Sequence, residues 1–180
     1  MIKKKETNEK LTMKLYRTFL DVYDLEGANF FETPMRVSKL WESFLQVEKP
    51  KLKAFPTENS SMVIVDNFDL WSFCPHHLLP VKYSFKIGFI PQGKSLGLSK
   101  FPRLAEFILS KLPLQEDIPD LIINEIQSII KPLGCGCQVK GYHLCSVMRG
   151  VKCPNIRFVS TSLKGVMLYS PASQLEFLST

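Results

Sequence analysis

The 180-residue sequence contains no apolar run of the length a membrane-spanning helix needs, about 20 residues, and so no such helix is expected. No apolar stretch follows the basic Met1-Ile2-Lys3-Lys4-Lys5-Glu6, so no secretory signal is expected either, and the cytoplasm is the expected compartment. Cysteines are few and odd in number: Cys74, Cys135, Cys137, Cys145 and Cys153. In a reducing compartment that argues against a disulfide framework and leaves metal binding or core packing. Neither an internal repeat nor a low-complexity segment is present, which excludes a solenoid. Two tryptophans and five tyrosines show no interleaving with basic residues, so a base-stacking surface for nucleic acid is not expected.

What is present is a globular balance of 45% hydrophobic and 22% charged residues, in a chain long enough for one domain with a real core. The formal charge of +6 suits an anionic partner, either nucleic acid or a phosphorylated small molecule. A solvated tail at Lys3, Lys4 and Lys5 accounts for part of that excess.

Residues 8–24 carry Leu11, Leu15, Phe19, Leu20 and Tyr23 at helical spacing. Thr33-Pro34 starts a second helix, with Thr33 as its cap and proline at the first turn. Arg36 and Lys39 sit three apart on it, on one side. Residues 50–60 read as a loop. Strands begin at Met62, and residues 81–89 alternate strictly, with Val81, Tyr83, Phe85, Ile87 and Phe89 on one face. A helix after Ser99 buries Phe101, Leu104, Ala105, Ile108 and Leu112. Another, from Pro113 to about Ile130, buries Ile118, Leu121, Ile122, Ile126 and Ile129. Cys135 to Val147 alternates as one strand, Ile156 to Leu168 returns, and Ala172 to Leu178 closes the chain as a short helix. The order predicts an α+β fold in which an antiparallel sheet packs on a helical pair. An N-terminal helical region, 1–60, precedes a catalytic region, 61–180, within one compact domain.

All three histidines lie in two short motifs, Cys74-Pro75-His76-His77 and His143-Leu144-Cys145. A tight turn can aim Cys74 and His77 at one metal, and residues 143 and 145 of a strand emerge on one face. Thiolate and imidazole are the usual zinc ligands. Four protein ligands would make a closed structural site. Three would leave a position for water, whose pKa zinc lowers to roughly 7. Counting His76, there are five candidates, more than a closed tetrahedron needs, which favours proton handling by one or two histidines. Cys135, Cys137 and Cys153 have no matching partner nearby and read as core or surface thiols.

A second constellation is Gly97-Leu98-Ser99-Lys100 with Arg103, at a helix start where N–H groups can bind an anion. Taken alone, an exposed basic face is the simpler reading of Lys100 and Arg103. Arg149 adds a cation near the metal motifs. Glu116, after Leu114-Gln115, sits where a glutamate usually complements a helix dipole. Its carboxylate can also accept two N–H groups at once, as on a guanine edge.

These motifs together resemble the GTP cyclohydrolase I family, from Thr33 to about Phe177. The resemblance rests on Thr33-Pro34-x-Arg36, Cys74-x-His76-His77, Gly97-Leu98-Ser99-Lys100-x-x-Arg103, Gln115-Glu116 and His143-x-Cys145-x-x-x-Arg149-Gly150, in the family's order and with similar gaps. It implies the tunnelling fold, and zinc held by Cys74, His77 and Cys145 with the fourth position open to water. It implies proton transfer by His76 and His143, and guanine recognition by Glu116 helped by Gln115. Ser99, Lys100, Arg103 and Arg149 would contact the triphosphate, with Arg36 and Lys39 from a neighbouring subunit. The implied reaction turns GTP into dihydroneopterin triphosphate and formate, in a homodecamer of two pentamers with sites at subunit interfaces. A ring-opening enzyme without pterin closure is the alternative, and a structural-zinc nucleic-acid module the more distant one. Asp117 and Ile118 after Gln115-Glu116, and Gln174 ahead of Glu176-Phe177-Leu178, depart from the family's usual arginine-containing patterns.

Overall fold

The computed structural model describes the backbone of residues 2–179 and the side chains of residues 9–179. The side chains of Lys3, Lys4 and Lys5 lie outside the described residues. The chain forms two compact units, residues 1–47 and 48–180. Among the described residues, no helix is long and apolar enough to cross a membrane.

The first unit is a helical pair, α1 (Ile2–Val22) and α2 (Thr33–Leu45). The Trp41 indole N–H donates to the Tyr16 hydroxyl, and Ser38 Oγ donates to the Glu9 carbonyl at 3.4 Å. Pro34 stands in the first turn of α2, where a missing N–H costs nothing. The cap position falls to Glu32, one residue before the expected Thr33, and no side chain caps the helix there. Arg36 instead pairs along the helix with Glu32 at 2.5 Å.

The second unit carries a four-stranded antiparallel sheet in the order β2 (Val63–Phe73), β3 (Pro80–Ile90), β5 (Gly134–His143), β6 (Phe158–Gly165). The expected antiparallel sheet packed on helices is what forms. Residues 50–60 are not wholly loop: β1 (Ala54–Pro56) pairs with β4 (Lys94–Leu96). The alternation of β3 decides which face is covered. Val81, Tyr83, Phe85, Ile87 and Phe89 are buried with Cys135, Cys137 and Val139 of β5. Two helices supply the facing layer, α3 (Lys100–Leu109) and α4 (Ile118–Ile130). Phe101, Leu104, Ala105 and Ile108 come from α3, and Ile118, Ile122, Ile123, Ile126 and Ile130 from α4. Each leucine, isoleucine or phenylalanine among them contributes about 1.5–3 kcal/mol when fully buried. Leu121, expected in this stripe, is 42% exposed, and Ile123 takes its place. The α3 helix ends at Leu109, so Leu112 lies beyond it.

On the other sheet face, one end is covered by the C-terminal segment of the same unit. Gly88 and Gly136 are register partners; a Cβ at Gly88 would stand 2.8 Å from Phe177, and one at Gly136 2.6 Å from Leu163 and 3.2 Å from Phe177. The paired glycines therefore make the seat for α7 (Pro171–Ser179), which follows the helical turn α6 (Val166–Tyr169). Gln174 Nε2 donates to the Leu168 carbonyl at 2.5 Å and ties α7 to α6. This packing also buries Lys86, a residue on the polar side of the β3 alternation, with its Nζ 6.0 Å from the Phe177 ring centroid and 3.8 Å from Asp66.

The strand expected over Cys135 to Val147 stops at His143, and Leu144–Val147 curl into a helical turn, α5. Pairing explains the change. The ladder with β3 ends at Val81↔His143 and that with β6 at Gly141↔Phe158. Beyond them the backbone of residue 144 has no strand to bond, and a local Met148 N–H to Leu144 carbonyl bond of 2.8 Å satisfies it instead. Likewise the returning strand stops at Gly165 and turns helical at Val166.

Candidate active site

The turn between β2 and β3 runs from Cys74 to Leu79. It is closed by the Cys74 N–H to Leu79 carbonyl bond at 2.9 Å and the Leu78 N–H to Cys74 carbonyl bond at 2.8 Å. Leu78 adopts a positive φ of 52°, which turns the chain back sharply enough for β3 to begin at Pro80. This compact turn brings the Nδ1 of His77 to 3.7 Å and that of His76 to 3.8 Å from Cys74 Sγ. The register that sets Val81 beside His143 delivers α5 to the same end of the sheet. Donor atoms of Cys74, His77 and Cys145 all lie within 4.8 Å of one another. Cys145 therefore reaches this group from a helical turn and not, as expected, from the strand face it would share with His143.

These three residues open onto a cavity of about 430 Å³. His76, His143, Gln115 and Glu116 line it too. So do Leu114, Ser146 and the β6 residues Phe158, Val159 and Ser160, none of which carried a signal in the sequence. Phe158 meets His143 edge to face, with centroids 5.3 Å apart, and Tyr83 does the same at 5.7 Å. His143 Nε2 is 2.7 Å from Gln115 Oε1, while Gln115 Nε2 donates to the Phe158 carbonyl at 2.8 Å.

The electrostatics follow from burial. Desolvation lowers the pKa of His143, opposed by the negative charge of Glu116, so the half-buried ring favours its neutral form. Burial first, then the hydrogen-bonded Cys74, push the Cys145 thiol up. Burial, and then the Cys74 thiolate charge, push the Tyr83 phenol up. Two thiols placed together resist losing both protons unless a cation lies between them. With an imidazole alongside, the donor set matches the preference of zinc.

The basic residues are placed elsewhere. None of Ser99, Lys100, Arg103 and Arg149 lines this cavity. Ser99 stands at the start of α3 without a side-chain cap bond. Arg36 and Lys39 belong to the other unit. The second unit thus assembles the metal-ligand candidates, the two further histidines and the glutamate around one cavity, without Ser99, Lys100, Arg103 or Arg149 in its lining.

A family model described as GTP cyclohydrolase I matches residues 5–180. GTP cyclohydrolase 1 of Leptospira biflexa serovar Patoc is 34% identical over 161 residues, covering 86% of this chain and 88% of that protein. The protein of that name from Hydrogenobaculum sp. is 35% identical over 156 residues, 86% of each. The one from Dictyostelium discoideum is 36% identical over 162 residues, 87% of this chain and 70% of that protein. With a matched model over nearly its whole length and a cavity that gathers Cys74, His77, Cys145, His76, His143 and Glu116, the chain belongs to the GTP cyclohydrolase I family.

Proposed function

We propose that this cavity carries out the GTP cyclohydrolase I reaction: opening of the GTP imidazole ring at C8, release of formate, and rearrangement to 7,8-dihydroneopterin triphosphate. The observation that carries this reading is the convergence of three metal-ligand atoms within 4.8 Å, in a cavity that also holds two further histidines and a glutamate. A volume of about 430 Å³ falls in the range of small-molecule sites, about 300–1,000 Å³.

Cys74, His77 and Cys145 are the zinc ligands in this reading. When bound, zinc supplies an activated water at neutral pH. His76 and His143 move protons to and from the purine ring as it opens and as formate leaves. The neutral state favoured at His143 suits a base that must first accept a proton. Glu116 accepts the amino and ring N–H groups of guanine, with Gln115 beside it. Leu114 and Phe158 offer an apolar wall on which the ring's faces pack. Ser99, Lys100, Arg103, Arg149, Arg36 and Lys39 offset the triphosphate charge. Since Ser99, Lys100, Arg103 and Arg149 do not line the cavity of their own chain, the reading places a complete site where subunits of a homo-oligomer meet, in a decamer of two pentamers.

Incubating zinc-loaded protein with GTP, and measuring formate together with oxidised fluorescent pterin, tests the reading. Equimolar formate and pterin are expected. Well-folded, metal-replete protein that releases no formate would refute it, and formate without pterin would establish ring opening alone.

A further inference from the structure

The His143 ring is held by a chain of contacts made by the protein itself. Gln115 lies at the centre of it, 6% exposed, in the turn just ahead of α4. Its amide NH2 donates to the Phe158 carbonyl at 2.8 Å and reaches Ser160 Oγ at 3.5 Å. A backbone carbonyl only accepts, so this bond decides which end of the amide faces β6. The remaining end, Oε1, also only accepts, and it stands 2.7 Å from His143 Nε2. The hydrogen between them can come only from the ring, so Nε2 carries the proton. A neutral imidazole has one such hydrogen, which leaves Nδ1 as the lone-pair nitrogen.

Gly141 makes this contact sterically feasible. It lies two residues before His143 on β5, on the same face, and opposite Phe158 in the β5–β6 register. A Cβ built at Gly141 would overlap Gln115 Oε1 and stand 2.9 Å from both Gln115 Cδ and His143 Nε2. The φ of Gly141 is not positive, so the conformation does not require glycine. The space does.

We propose that Gln115 is a positioning residue that fixes His143 in the Nε2–H tautomer, and that Gly141 is the gap through which its amide oxygen reaches the ring. Nδ1 is then the ring nitrogen left with the lone pair. This rests on the reading of His143 as a proton carrier, and it gives Gln115 a role that needs no contact with the substrate. A fixed tautomer saves the reaction from waiting for a ring with the proton on the wrong nitrogen.

The test has two independent readouts. The first is a two-bond proton–nitrogen correlation spectrum of zinc-loaded protein labelled with 15N-histidine, at about pH 8, where an ordinary histidine is neutral. His143 is assigned from the signal missing in His143→Ala. The wild type is expected to show the Nε2–H pattern. Gly141→Ala and Gln115→Leu are expected to shift His143 towards a mixture with the Nδ1–H form. Gln115→Glu, which keeps an acceptor opposite Nε2, is expected to retain the Nε2–H pattern and serves if the other variants fail to fold. The second readout is steady-state kinetics with GTP. Loss of a positioning partner is expected to lower kcat about 10–100-fold, with KM changed less than about threefold. An Nδ1–H pattern in the wild type, or an unchanged His143 pattern in folded Gly141→Ala, would overturn the proposal. A raised KM with unchanged kcat in Gln115→Leu would show that Gln115 binds substrate instead. The spectrum needs no turnover, so an enzyme inactive on GTP would fail the functional reading while the tautomer was still decided.

Discussion

Removing one ligand candidate at a time separates the metal-binding residues from the proton carriers. Cys74 Sγ and His77 Nδ1 stand 3.7 Å apart. Tetrahedral zinc, with bonds of about 2.3 Å to sulfur and 2.0–2.1 Å to nitrogen, sets such a pair roughly 3.6 Å apart. This one pair therefore needs to move by only about a tenth of an ångström, while the three donor atoms together, within 4.8 Å of one another, close in further around the metal. Metal at about 100 times its Kd stabilises a folded chain by about 2.7 kcal/mol. For a chain of this size, at about 2–4 °C per kcal/mol, that becomes a rise in Tm of about 5–11 °C. Chelation should lower the melting temperature of the wild type by this amount, and added zinc should restore it. His77→Ala and Cys145→Ala should melt at one temperature with or without zinc and hold no stoichiometric metal. His143→Ala should keep both the shift and the metal, yet lose turnover. Scanning calorimetry beside elemental analysis measures both quantities. A zinc-dependent shift that survives in Cys145→Ala, or vanishes in His143→Ala, would refute this division of roles.

Phe177→Ala removes a fully buried ring from the seat made by Gly88 and Gly136, and should cost about 3–5 kcal/mol in urea unfolding. A cost below about 1 kcal/mol would mean that α7 does not hold this end of the sheet. Burial pushes the Cys135 thiol up to about 11 and raises Cys137 further, so neither should react with iodoacetamide at neutral pH while the exposed Cys153 does; peptide mapping decides this. Hydrogen bonds from Lys82, then from Ser84, hold the Asp69 carboxyl below the usual carboxylate range. A depressed carboxyl contributes stability that is present above its unfolded pKa, about 3.9, and is lost as pH falls through the lower folded value. Asp69→Asn should therefore flatten the acid end of the stability profile, by less than about 1 kcal/mol because the pair is partly exposed. Urea midpoints at neutral and strongly acidic pH that fall equally in both proteins would contradict it.

Much of this molecule is legible in short-range pattern. The alternation over 81–89 shows the covered face of β3 because successive side chains of a strand must point opposite ways. Cys74 and His77 declare themselves because three residues are enough for a turn to bring both side chains to one point. The glycines at 88 and 136 gave no such notice. Their purpose is visible only once they pair across the sheet and Phe177, some forty residues beyond the second of them, lies on both. The helical turn at Cys145 was hidden for a related reason: the residues run on in strand-like alternation, but a strand lasts only as far as its neighbours do, and both ladders have stopped by His143. Sequence alone therefore determined which residue types carry the chemistry, together with the one ligand pair formed within a single turn. Tertiary structure decided where Cys145 stands, that Phe158 to Ser160 wall the cavity, and that Gln115 holds His143, because each depends on strand pairing between segments far apart in the chain.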